Sequence, residues 1–333
     1  MYWLMRSFPI TGTSAANRRP FSLPDNIRLL TDLLHMRKLF NILASVMIAI
    51  LLTGCGGGGD SAAPNTPDPG FPISSRPYQL KIPANYDPGS PTALIVLLHG
   101  YSSNSNEVAN YFGLIKAADS QGFLLAYPDG TIDSRGNRYW NGTDACCAFD
   151  PDPADDVSYL TSVMDDIAAK YNVDPNRIYF VGHSNGAFMS NRMACEHSSR
   201  IAAIVTLAGM QWNDPRLCPT TKPVSVLHIH GDLDDTIFFD GGNVFGTLSP
   251  SAFDSTATWA AKDGCTGNLI DLPPNIDLES VITGDETRVQ RYTGCPAGID
   301  VELWTITGGS HIPTFSTNIA DLIWNFLSTH PKP

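Results

Sequence analysis

The stretch that most constrains this chain runs from Arg177 to Cys195, RIYFVGHSNGAFMSNRMAC. Ile178, Tyr179, Phe180 and Val181 are an apolar, β-prone run. Gly182-His183-Ser184-Asn185-Gly186 follows, and Ala187 to Ala194 is compatible with a helix. The order is strand, tight turn, helix. A serine at the apex of such a turn needs neighbouring backbone to pass very close, which glycine two positions before and after permits. Gly182 and Gly186 fill both places. The plain alternative is a glycine-rich turn closing a buried strand. The chemical reading makes Ser184 a nucleophile, and it requires a base, an acid to orient that base, and donors for an oxyanion.

Residues 1–35 show no periodicity and include Arg18-Arg19-Pro20. From Met36 the pattern changes. Arg37 and Lys38 precede an apolar run, Leu39 to Leu52, which ends in Leu52-Thr53-Gly54-Cys55. Two cations ahead of a core this short predict an export signal rather than a spanning helix. The last four residues resemble the lipobox of bacterial lipoproteins, which implies lipidation at Cys55 and a membrane anchor. An uncleaved anchor is the alternative. The same pattern points to Met36 as the start and to residues 1–35 as a mis-assigned or disordered extension. Residues 55–70, rich in Gly and Pro, read as a tether, and 71–333 as one catalytic domain.

Residues 1–54 hold six of the 21 Lys/Arg and two of the 33 Asp/Glu, leaving 15 basic against 31 acidic side chains, a net of −16. That balance argues against nucleic acid and against electrostatic docking on anionic lipid. Six cysteines remain besides Cys55: 146, 147, 195, 218, 265 and 295. An even number in an exported chain predicts disulfides. Metal binding is the other reading, but no C-x-x-C pair or histidine cluster has ligand spacing. Cys265 with Cys295 is the expected pair, because both flank one late insertion; Cys146 and Cys147 have no evident partner.

Along the domain, Tyr78 to Ile82 alternates like an edge strand. Ala93 to Leu98 is a continuous apolar run, as in a strand buried on both faces of a parallel sheet, and ends in His99-Gly100-Tyr101. Phe123 to Tyr127 is a further strand. The long stretch 131–154 carries Trp140 and the adjacent cysteines; Trp140 is a candidate substrate wall, or packs the loop down. Asp150, Asp152, Asp155 and Asp156 read as a cation site or as a solvated loop ending at a helix N-terminus. Val157, Leu160, Val163, Met164 and Ile167 repeat at helical spacing. Ile201 to Ala208 and Val224 to His230 are two more strands, with about fifteen residues between them, too few for a cap domain.

The second of these strands ends in His230-Gly231-Asp232-Leu233-Asp234-Asp235, where three aspartates compete to orient a base. Thr256 to Lys262 reads as a helix, and Asp300 to Ile306 as the final strand, followed by Gly308-Gly309-Ser310-His311. Of eight histidines, His311 has the placement of a base. Ile319 to Leu327 closes the chain as an amphipathic helix.

LLHGYSSN, the CC loop with DDVSYL, GHSNGAFMS, VLHIHGDLDD and ELWTITGGSH together resemble the α/β-hydrolase group holding poly(3-hydroxybutyrate) depolymerase-like and feruloyl esterase-like proteins. The likeness spans roughly residues 78 to 330. It implies an α/β-hydrolase fold, a mostly parallel sheet with helices on both faces and no large cap. It also implies a serine esterase needing no cofactor and no metal, whose partner is an ester substrate. On this likeness Ser184 is the nucleophile, His311 the base, and Asp234 the acid, with Asp235 as runner-up. Tyr101 and Asn185 give backbone N–H groups to the oxyanion hole. The natural ester is left among polyester, hydroxycinnamoyl and acetylxylan esters. A non-catalytic binding lipoprotein is the reading from another class.

Overall fold

The structure is a computed structural model that describes residues 73–315 and 319–333. The export signal, the tether and Cys55 lie outside these residues.

The apolar run in the first third of the domain shows how the sequence builds the fold. Strand β2 (Thr92–Leu98) is buried along its whole length. Side chains alternate across a strand, so one continuous run supplies two cores. Ala93, Ile95 and Leu97 face helices α1 (Ser105–Tyr111), α2 (Leu114–Gln121) and α6 (Ile319–Ser328). Leu94, Val96 and Leu98 face α3 (Asp156–Lys170), α4 (Asn185–Glu196) and α5 (Ala252–Lys262).

The remaining strands of this sheet are β1 (Tyr78–Lys81), β3 (Leu124–Pro128), β4 (Val173–His183), β5 (Ala203–Leu207), β6 (Ser225–Gly231), β7 (Leu269–Asp271), β8 (Thr287–Tyr292) and β9 (Val301–Ile306). They lie in the order β1-β3-β2-β4-β5-β6-β9-β8-β7. The six central strands, β3 through β9 in that order, run parallel. β1, β8 and β7 pair antiparallel at the two edges. This is the α/β-hydrolase fold.

Three features go beyond what the sequence expectation specified. Val301–Ile306 is the last strand in the chain but not the edge of the sheet, because β8 and β7 extend it. Both are short and partly exposed, and lack the apolar run that marks the central strands. β4 starts at Val173, five residues before the apolar run, through pairing of Thr92 with Val173. α5 begins at Ala252, where the Ser251 side chain accepts from Asp254 N at 2.9 Å.

Between β5 and β6 there is one short turn, Pro215–Leu217, and no cap. Cys218, just beyond it, is bonded to Cys195 of α4, and Cys265 to Cys295. Cys146 and Cys147 are bonded to each other. Three members of the acidic run serve separate local contacts. Asp155 caps α3 by accepting from Ser158 N at 3.0 Å, Asp150 accepts from Ser134, and buried Asp156 pairs with Arg76.

Candidate active site

The parallel strands deliver the chemical groups to one edge. β4 ends at His183, and Ser184 caps α4 with φ 53° and ψ −122°, a backbone conformation that costs on the order of 1–3 kcal/mol for a residue with a Cβ. The elbow closes because its flanks lack side chains. A Cβ on Gly182 would collide with the carbonyl of Gly186, and one on Gly186 with the carbonyl of Leu98. Ser184 N donates to Leu207 O at 2.8 Å, which ties the turn to β5.

Two other strand ends complete the array. His311 follows β9, and its Nε2 lies 3.0 Å from Ser184 Oγ. Its Nδ1 lies 2.7 Å from Asp234 Oδ2, in the loop after β6. The two loops are fastened together: Gly308 N donates to Asp232 Oδ1 at 2.6 Å, and Leu233 N to Gly309 O at 3.0 Å. Of the three competing aspartates, Asp232 thus holds the histidine loop. Asp235 is exposed and touches Thr236. Asp234 is the one that meets the imidazole.

Asp234 is 5 % exposed and fully satisfied. Oδ1 accepts from Thr236 N and Ile237 N, each at 2.8 Å, while Oδ2 accepts from His311 and from His230 Nε2 at 3.1 Å. Burial pushes its pKa up, but the hydrogen bonds and charge of His230 and His311 outweigh burial and hold the carboxyl well below the usual range. It is therefore an anion at neutral pH.

His183 supports the base from the other side. Its Nε2 lies 3.0 Å from His311 O, which can only accept, so that nitrogen carries the proton. Burial, followed by the nearby His311 ring, pushes its pKa down to about 4, which keeps it neutral. His99, whose own titration burial also depresses, takes the Gly130 N–H on Nε2 at 2.8 Å and fixes the strand end before Tyr101.

Ser184, His311 and Tyr101 line one cavity of about 500 Å³. Tyr111, Ile237 and Phe245 give it apolar walls. Asn185 heads α4, where first-turn N–H groups have no intrahelical acceptor and the dipole favours negative charge. Its side chain points elsewhere and grips the Trp140 backbone. Oδ1 accepts from Trp140 N at 2.6 Å and Nδ2 donates to Trp140 O at 2.9 Å.

Trp140 itself does not line the cavity. It is 0 % exposed, its Nε1 donates to His99 O at 3.1 Å, and its ring sits against His99. An indole whose N–H is satisfied inside the protein is packing the loop down. The wall from this loop is instead the bonded pair Cys146 and Cys147. That role was not legible in the sequence, nor was that of His230; the signal for His230 was the alternation His228-Ile229-His230 just ahead of the acid.

A hydroxyl against an imidazole against a buried carboxylate, beside a helix N-terminus, can perform nucleophilic acyl transfer. The known proteins that this chain resembles are esterases. The pattern of the family described as esterase PHB depolymerase matches residues 78–220. Feruloyl esterase B of Piromyces equi is 28% identical over 266 residues, which cover 78% of this chain and 46% of that protein, so the chain spans about half that relative's length. Feruloyl esterase D of Neurospora crassa is 26% identical over 287 residues, covering 83% of this chain and 87% of that protein. Among solved structures, the acetyl xylan esterase from Aspergillus awamori aligns with a TM-score of 0.54 at 14% identity, over 75% of this chain and 93% of that one, a likeness of fold. The chain thus has the α/β-hydrolase fold, and it is similar to the family described as esterase PHB depolymerase over residues 78–220 and to feruloyl esterases over most of its length.

Proposed function

We propose that this protein hydrolyses carboxylic esters through an acyl-enzyme on Ser184. The observation that carries the reading is the unbroken chain Ser184 Oγ, His311 Nε2, His311 Nδ1, Asp234 Oδ2, with links of 3.0 Å and 2.7 Å.

Ser184 Oγ attacks the ester carbonyl as its proton passes to His311 Nε2. The C–Oγ bond forms and the carbonyl oxygen takes the electron pair, facing the N–H groups of Tyr101 and Asn185. Collapse breaks the bond to the alcohol, which leaves with the proton from Nε2. Water then repeats the sequence: it gives a proton to Nε2, attacks the acyl carbon, and the carboxylic acid departs as Ser184 recovers its proton. Asp234 stays ionised throughout and stabilises the imidazolium.

The cavity bears on the acyl group. Its volume of about 500 Å³ and its apolar walls suit a hydroxycinnamoyl group or a short run of hydroxybutyrate units. An acetyl group would leave most of it to water. The relatives named feruloyl esterase favour the first of these. The open mouth, where Phe245 and Ile312 are 62% and 61% exposed, admits the end of a larger substrate.

Hydrolysis of para-nitrophenyl acetate and butyrate, methyl ferulate, acetylated xylan and a hydroxybutyrate oligomer by residues 71–333 tests this reading. Methyl ferulate or the oligomer is expected to give the highest kcat/KM. Preference for acetylated xylan would move the substrate to acetyl esters. No turnover by folded protein would favour a binding role.

The place of action is proposed from the signal-like run ending at Cys55 and from the internal disulfides, which fit an oxidising compartment. The expected result for Cys55→Ser expressed in a bacterial host is loss of lipid labelling and release of the protein from membranes. Membrane retention without lipid would show an uncleaved anchor instead.

A further inference from the structure

Behind the acid lies a buried line of polar groups that the steps above do not use. Thr206 Oγ1 is 2.8 Å from His228 Nδ1, His228 Nε2 is 3.1 Å from His230 Nδ1, and His230 Nε2 is 3.1 Å from Asp234 Oδ2 and 2.8 Å from Ile237 O. Thr206, His228 and His230 are 1%, 2% and 0% exposed. Two imidazoles in a row inside a sheet are costly to desolvate unless every nitrogen is paired. Here all four are.

The proton positions follow from the one partner that cannot change. A carbonyl only accepts, so the 2.8 Å contact with Ile237 O places a proton on His230 Nε2. That one N–H is shared between Ile237 O and Asp234 Oδ2, 3.1 Å away, so the nitrogen is a donor toward Asp234 whatever the state of the other. With His230 neutral, its Nδ1 accepts from His228 Nε2–H, and His228 Nδ1 accepts from the Thr206 hydroxyl. Each link then sets the tautomer of the next. The neutral form of His228 is secured by burial and by the neighbouring His230. Among the described residues Phe239 is the other ring packed against His230, with centroids 5.6 Å apart, and the titratable groups around it are Asp234, His228 and, farther off, His183.

We propose that His230 is a positioning residue for the reaction. Its Nε2–H holds Asp234 Oδ2 in line with His311 Nδ1, and Thr206 and His228 hold His230 in the tautomer that can do so. The geometry explains why one carboxylate oxygen serves two imidazoles. Two main-chain N–H groups occupy Oδ1, so Oδ2 is aimed at His311 from behind by His230. Without that donor the carboxylate is free to rotate, and more of its charge is available to the His311 imidazolium.

This inference rests on reading Ser184, His311 and Asp234 as the catalytic array. Its test compares His230→Leu, His230→Gln and His230→Asn with the unaltered enzyme and with Ser184→Ala, following kcat, KM and the pH dependence of kcat/KM. His230→Leu is expected to lower kcat about ten- to a hundredfold with KM little changed. The acidic limb of its profile should move up by about 0.5 pH unit or more. His230→Gln, which keeps an N–H donor of similar reach, is expected to recover most of the rate and the original limb. His230→Asn, too short to reach Asp234, should behave as His230→Leu does, and it carries the test if the leucine variant does not fold.

Equal losses in the glutamine and leucine variants with an unmoved limb would make His230 a packing residue and overturn the proposal. Near-normal kcat in the leucine variant, with Ser184→Ala inactive, would overturn it too and leave the Ser184 reading intact. Activity surviving in Ser184→Ala would remove the reading on which both stand.

Discussion

Ser184→Ala is expected to lower kcat for a para-nitrophenyl ester by about a million-fold, and His311→Ala by a similar factor. The reason is shared labour. The hydroxyl is a poor nucleophile unless His311 Nε2, 3.0 Å away, takes its proton, and the imidazole has nothing to activate once the hydroxyl is gone. The double variant should therefore be no slower than either single one. Substrate binding by the cavity walls is untouched, so KM should change little. Ser184 keeps its place through backbone contacts, the Ser184 N to Leu207 O bond and the close approach at Gly182 and Gly186, so the alanine variant should fold. Steady-state kinetics of the three variants measure this. A double variant slower by the product of the two single losses would mean that the residues act independently.

The second large effect belongs to Asp234→Asn, expected to cost about ten-thousandfold in kcat. Oδ1 receives two main-chain N–H groups and so must remain an oxygen in the amide. The amide nitrogen then faces His311 Nδ1 and His230 Nε2, where two donors already point inward. His311 is driven to the tautomer with its proton on Nε2, which cannot accept from Ser184. Asp235→Asn, at an exposed carboxylate outside this network, is expected to change kcat by less than about twofold. A mild effect at 234 with a severe one at 235 would move the acid by one residue.

A stability readout accompanies it. The folded-state pKa of Asp234 is depressed, so its contribution is present above the unfolded value and is lost as pH falls toward the folded one. The stability gap between wild type and Asp234→Asn should thus narrow as pH drops below about 4.

The catalytic candidates were legible because each sits where a recognisable strand stops. The apolar runs before Ser184 and Asp234 and the alternating strand before His311 mark the sheet, and parallel strands bring their C-terminal ends to one edge. The choice of Asp234 among the three aspartates came from the family likeness of its loop and not from spacing alone; in space Asp232 proves to hold Gly308. Trp140 left two readings open for a physical reason. A large aromatic on a long loop can face substrate or core, and what decides is whether its N–H finds a partner inside, here His99 O.

The Cys195–Cys218 bond joins α4 to the turn after β5, a contact that spacing does not encode. The antiparallel strands Leu269–Asp271 and Thr287–Tyr292 were hidden because partly exposed strands need no apolar run. Asn185 supports Trp140, 45 positions away in the chain, through its side chain, a contact that spacing does not encode.

The measurement closest to the central claim is the reaction of the protein with a serine-directed phosphonate ester, followed by intact mass and peptide mapping. The result predicted is one adduct, on Ser184, forming in step with the loss of ester hydrolysis and absent from His311→Ala. An adduct on another residue, or hydrolysis that persists when Ser184 is fully labelled, would contradict the account.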